Sequence, residues 1–384
     1  MSRATRAAPP GWAVWLPVIG RARARWKTTR GKPFNRTRMP MTTASSVRAD
    51  AVLSVLRPDV RELTANVDAA VLRPAESALD RADRARIALR VALVNDQPDD
   101  ELAAELDALV GDGAADVVRD TDRWDELSEA QQALLAHCEL VALDPADVTV
   151  AEIGELRAQG FSTAQIVAAA QVVAATSFRI RLLRGLQLVA EPDTTPDAEP
   201  ANTIAVGATA DGCELPTPDE AFPQMRWVPW VEADSFDEAL QHDPEALEAC
   251  SALYNAIMTD PGELATAERE LAALAASLRT GCELSSGVHG RRQVELSDDR
   301  VTSVALAEAG PAAVPDQRQR AIVDAAAALA PTPTALTSAH IGRLRAAGVS
   351  AEGIRDLIAV AAMTAWTNRL AMTLGNATTR DTDW

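Results

Sequence analysis

The octapeptide Ile153-Gly154-Glu155-Leu156-Arg157-Ala158-Gln159-Gly160 returns 188 positions later as Ile341-Gly342-Arg343-Leu344-Arg345-Ala346-Ala347-Gly348. No other feature limits the fold as strongly, because two copies of one unit must build two related halves. The register continues past the octapeptide, where Phe178 meets Trp366, Arg181 meets Arg369 and Leu182 meets Leu370. In each copy a helix closes on a glycine, a capped helix begins near Ser162 or Ser350, and an Ala/Val-rich helix follows. The earlier helix starts near Ser128 and Asp316 correspond as well.

Helical signals run through nearly all of the chain after residue 49. Capping boxes pair Ser128 with Gln131, Thr149 with Glu152, Ser162 with Gln165 and Asp260 with Glu263, each satisfying N–H groups that a helix start leaves without partners. Pro261 follows the last of these caps, at the first helical position, where its missing N–H costs nothing. Beyond it Leu264, Ala267, Leu271, Leu274, Ala275 and Leu278 repeat at helical period on one face. Aromatic residues are only 4% of the chain against 47% hydrophobic, so the cores must close on small and aliphatic side chains, which suits close-packed helices. No run of alternating β-branched residues is evident. The fold class is all-α, with no apolar run of membrane-spanning length.

The repeat divides the chain into two helical domains, residues 49–190 and 225–384. Between them, residues 191–224 hold Pro192, Pro196, Pro200, Pro216, Pro218 and Pro223 among acidic and small residues, a composition that reads as a linker. Residues 1–48 carry eleven Lys or Arg and no acid. Their apolar run, Trp12 to Ile19, precedes most of that charge, the reverse of a secretory signal. A mitochondrial-type presequence and a membrane-surface anchor are open readings of this segment. The plainer one is a disordered basic extension, or a leader ahead of a start near Met39 or Met41.

A net charge of −18 argues against general binding to nucleic acid or anionic membranes. Four scattered cysteines, Cys138, Cys213, Cys250 and Cys282, read as intracellular thiols and a cytoplasmic location. No nucleotide, flavin or metal motif appears, so no cofactor is expected.

Chemistry concentrates in Thr280-Gly281-Cys282-Glu283-Leu284-Ser285-Ser286-Gly287-Val288-His289. With a helix break at Thr280-Gly281 and a new helix starting near Cys282, Cys282, Ser285 and His289 fall on one face over two turns. A thiol in the first turn feels the positive end of the helix dipole, which favours the thiolate. His289 can exchange protons near neutral pH. Glu270 and Glu268 border opposite edges of the apolar stripe on the preceding helix, and periodicity does not choose between them. As metal ligands, Cys282 and His289 without a second cluster make a poor zinc site.

The spacing Glu270-x11-Cys282-x2-Ser285-x3-His289 in an all-α domain resembles the AhpD alkylhydroperoxidase and carboxymuconolactone decarboxylase superfamily, whose peroxidase branch carries E-x11-C-x-x-C-x3-H. The flanking Ala-Glu-Arg-Glu-Leu-Ala-Ala-Leu-Ala and the later Ala-Trp-Thr-Asn-Arg-Leu are similar too. The likeness covers about residues 225–380 well and 50–190 more weakly, and it implies two tandem AhpD-like domains. It implies thiol-dependent hydroperoxide reduction, in which Glu270 and His289 match the relay pair and Cys282 the first cysteine of the motif. Ser285 stands where the family's peroxide-attacking cysteine would be. A serine cannot cycle through sulfenate and disulfide, so the dithiol mechanism does not carry over. Three readings stay open: a one-cysteine peroxidase at Cys282, acid–base chemistry of the decarboxylase type using Glu270 and His289, or a non-catalytic relative that packs or holds a small ligand. The resemblance also implies a lipoyl-type or small dithiol reductant, a small hydroperoxide substrate and a homo-oligomer, for which the fused copies stand in as a pair.

The first copy offers no matching site. Ala85 to Asn95 keeps the helical pattern without a nearby cysteine or histidine, and at the repeat's offset Val94 stands under Cys282. Asp96, Asp99 and Asp100 read as a loop and helix cap. Elsewhere, Cys250 reads as a small buried residue near Tyr254, and Cys138 and His137 face apart as helix neighbours. Cys213 reads as an exposed linker thiol and His340 as a cap or surface residue.

Overall fold

The computed structural model describes residues 49–97, 99–191 and 216–379. The basic segment 1–48 and most of the linker, Cys213 included, lie outside the described residues. The first half runs α1 (Ala49–Leu53), α2 (Pro58–Leu72), α3 (Arg81–Val94), α4 (Asp100–Val110), α5 (Ala114–Arg119), α6 (Glu129–Leu143), α7 (Val150–Ala158) and α8 (Thr163–Ala190). The second half begins with α9 (Pro218–Ala221), β1 (Met225–Pro229), α10 (Phe236–Leu240) and α11 (Pro244–Met258). It continues through α12 (Thr266–Thr280), α13 (Glu283–Ser297), α14 (Arg300–Ala309), α15 (Gln317–Leu329), α16 (Ser338–Ala346), α17 (Ala351–Thr373) and β2 (Gly375–Thr379).

The fold is all-α, with one addition that periodicity did not reveal. β1 and β2 form an antiparallel ladder in which Trp227 pairs with Ala377. Only Met225 and Trp227 alternate inward on β1, too short a pattern to register as a strand. The Trp227 indole N–H donates to Ala371 O at 2.9 Å, which pins the ribbon to the end of α17.

The capping boxes at Ser128, Thr149 and Ser162 all form. The one read at Asp260 does not, and α12 starts at Thr266 instead. A tertiary carboxylate takes over the cap's work: Asp356 Oδ2 of α17 accepts the N–H groups of Glu263 and Leu264 at 2.7 and 3.1 Å. Buried Arg269 then donates to the carbonyls of Leu264, Ile257 and Asp260, holding the loop as an extension of the core.

The most extensive packing among the described residues joins α8 to α17, the matching long helices of the two copies. Residues related by the repeat meet there. Phe178 and Trp366 touch with ring centroids 5.7 Å apart, and Arg181 and Arg369 both donate to Thr332 Oγ1, at 2.7 and 3.0 Å. One continuous hydrophobic cluster runs from Val52 to Leu374 through both halves. α8 corrects the expectation that no apolar stretch reaches membrane-spanning length: its composition and 28 residues suffice, and 83% of its most apolar window is buried inside the protein. A helix surrounded by other helices is apolar on all sides.

One boundary also shifts. Residues 216–223, assigned to the linker from their prolines, form α9 and dock on α13: Phe222 O accepts Arg291 Nε at 2.8 Å. A second register relates the α3–α4 turn to the α12–α13 turn. Arg84 donates to Leu79 O as Arg269 does to Leu264 O, and Asp96 adopts the positive φ found at Gly281. This register is three positions short of the later repeat. It places Ala85, Gln97, Asp100 and Ala104 opposite Glu270, Cys282, Ser285 and His289. Asp99 caps α4 by accepting from the N–H groups of Glu101 and Leu102.

Candidate active site

The site is made by the sharp turn between α12 and α13. Gly281 sits in the left-handed region with φ 82° and ends α12, a conformation that favours glycine. Cys282 follows as the N-cap residue of α13, with extended backbone. The two helices then pack closely along their lengths, which brings the inner edge of α12 against the first two turns of α13.

That packing decides between the two glutamates. Glu270 Oε2 lies 2.7 Å from His289 Nδ1, and both side chains are buried. Glu268 faces away and holds Arg318 at 2.6 Å. The second oxygen of Glu270, Oε1, is 3.1 Å from Nε of Arg292, one turn beyond His289 on α13. Tyr254 is buried nearby on α11; burial first, and the charge of Glu270 second, push its phenol well above the ordinary range while Arg292 opposes them. Neither Arg292 nor Tyr254 was read as a site residue from the sequence. Arg292 follows His289 at helical spacing, which was a usable signal; Tyr254 comes from a separate helix and carried none.

Cys282 and Ser285 are bonded to each other, Sγ to Oγ at 3.3 Å. Both are buried, and Cys282 is only 1% exposed. The expectation of a thiolate favoured by the helix start is overturned. Burial pushes the thiol pKa above its ordinary range, and the hydrogen bond to Ser285 offsets only part of that rise. Removing a charge from water outweighs half a unit of helix charge when the thiol is enclosed.

Cys282 nevertheless lines a cleft of about 340 Å³ that lies between the halves. The cleft is walled by the Pro145–Val150 segment of the first half, by Trp227 and Trp230, and by the start of α13. The remaining candidates stand apart from it. Cys138 and Cys250 are buried free thiols, with Cys250 pushed up to about 12 by burial. His340 accepts from the backbone N–H of Thr337 as part of the α16 cap.

Residues 244–323 match the carboxymuconolactone decarboxylase family. The match begins at the first residue of α11 and contains the whole α12–α13 turn, with Glu270, Cys282, Ser285 and His289. This family is linked to alkylhydroperoxidase-type and related chemistry. The first half lies outside the family match and is tied to it through the repeat alone. No curated protein matches the chain.

Proposed function

We propose that the protein reduces organic hydroperoxides, with Cys282 as the reacting thiol and Ser285 as a proton conduit in place of the family's attacking cysteine. The observation that carries this reading is the buried Glu270–His289 pair at 2.7 Å, with His289 on the helix that Cys282 caps. Donation from Nδ1–H to Glu270 makes Nε2 the basic nitrogen of the ring. Ser285 and His289 are neighbours at i, i+4 on α13, and Ser285 Oγ already accepts from Cys282 Sγ. The thiol proton thus has a path through Ser285 toward the imidazole.

In the first step the Cys282 sulfur attacks the terminal oxygen of ROOH and the O–O bond breaks. The proton is delivered to the leaving oxygen, giving ROH and a cysteine sulfenic acid. An external thiol then condenses with the sulfenic acid, releasing water and leaving a mixed disulfide. A dithiol of the lipoyl type suits the last step, because its second sulfur displaces Cys282 within the same molecule and leaves as a cyclic disulfide.

The test is hydroperoxide consumption with several thiol reductants, with sulfenic acid trapped on Cys282. Wild type should turn over and trap, Cys282→Ser should do neither, and Ser285→Cys should turn over faster. A wild type that neither consumes hydroperoxide nor forms the sulfenate ends this reading, and gain of turnover in Ser285→Cys alone would mark the site as disarmed.

A further inference from the structure

The half of the molecule without reacting groups forms one wall of the cleft that leads to Cys282. Ala146 approaches the α12–α13 turn so closely that a Cβ added at Gly281 would meet its methyl group at 3.4 Å. Val148 and Val150 continue this wall, the first buried and the second 57% exposed at the rim. Opposite them, Trp227 is 3% exposed and fixed by its indole N–H on Ala371 O; Trp230 is half-buried beside it. A volume of about 340 Å³ is within the range of pockets that take small molecules.

The charges in the cleft are equally one-sided. Glu283 is the only charged residue among the described residues that line it. It sits in the first turn of α13, where the helix end would otherwise attract anions.

We infer that the first half selects what reaches Cys282: Val148 and Val150 on one side and Trp227 and Trp230 on the other form a slot for an uncharged, ring-bearing group, and Glu283 turns anions away. Fusion of the two copies then has a chemical consequence, since the copy without the Glu270–Cys282–His289 constellation supplies specificity to the copy that has it. The inference rests on Cys282 as the reacting group proposed above, but it can be read without any turnover.

The experiment compares alkylation of Cys282 by N-phenyl iodoacetamide and by its para-sulfonated analogue, followed by peptide mass mapping of the folded protein and of the denatured chain. The neutral reagent should label folded Cys282 about tenfold faster than the sulfonate, equivalent to about 1.4 kcal/mol, with no preference in the denatured chain. Val150→Asn and Trp230→Ala should each reduce that preference by slowing the neutral reagent. Both positions are partly exposed, and a circular dichroism spectrum checks that the helices persist. Glu283→Gln should speed the sulfonate and leave the neutral reagent unchanged. Equal labelling by the two reagents, or unchanged selectivity in both wall variants, overturns the inference. Selective labelling without hydroperoxide turnover would remove the proposed activity and keep the slot; turnover without selective labelling would do the opposite.

Discussion

Glu270 Oε2 and His289 Nδ1 face each other at 2.7 Å across the α12–α13 contact, and only 1% and 2% of their side chains reach solvent. A carboxylate and an imidazole enclosed together can hold and pass a proton without competition from water. Arg292 on the other carboxylate oxygen fixes the direction in which Glu270 points.

Glu270→Gln keeps the shape of the side chain and removes its capacity to hold the imidazole as a proton acceptor. Sulfenate formation at Cys282 should slow by roughly 10²- to 10⁴-fold, the usual worth of a positioned acid–base group. Rapid-mixing with excess hydroperoxide measures it. An unchanged rate in a folded variant would remove the pair from the chemistry.

The raised thiol pKa of Cys282 sets a pH profile. The thiolate is the attacking form, so alkylation and peroxide reduction at Cys282 should climb about tenfold per pH unit between pH 7 and 9. The same shift acts on stability. The folded chain keeps a proton that the unfolded chain releases, so the contribution is complete below the unfolded thiol's pKa of about 8.5 and is lost as pH rises toward the folded value. Chemical denaturation of wild type and Cys282→Ser at pH 7 and 10 would show it as a smaller alkaline loss in the variant.

His137 should make the protein acid-sensitive. Burial pushes its pKa from 6.5 down to about 4, and its Nδ1 has no hydrogen-bond partner among the described residues. The unfolded chain takes up a proton below 6.5 that the folded chain refuses, so stability is full above that pH and falls as pH drops toward 4. The loss over this window should be on the order of 3 kcal/mol. His137→Leu should flatten it in denaturation curves; an equal acid slope in the variant would place the sensitivity elsewhere.

Gly290 lets the segment after the linker dock. A Cβ there would stand 2.5 to 2.7 Å from ring atoms of Phe222, and the Arg291–Phe222 bond lies next to it. Gly290→Ala should lower stability by about 1–3 kcal/mol and expose residues 216–223 to limited proteolysis. A variant as stable and as resistant as wild type would show that α9 is not held by this contact.

The helical class, the duplication and the order of helices in each copy follow from the sequence alone. Those features are carried by local signals: caps such as Ser162–Gln165, the 3.6-residue apolar period, and identities at a fixed offset. The position of Cys282 at a helix start was legible for the same reason, through Gly281. Tertiary structure decided everything that depended on an environment. Asp356, 93 positions from Glu263, displaced a local cap, and Trp227 found its strand partner near the other end of the described chain. Packing of α12 on α13 chose Glu270 over Glu268 and added Arg292 and Tyr254. It also reversed the expectation for the thiol, because sequence shows the helix end that favours a thiolate but not the enclosure that opposes it. Periodicity reports which way a side chain faces on its own helix; the water it loses and the partner it meets belong to the helices packed against it.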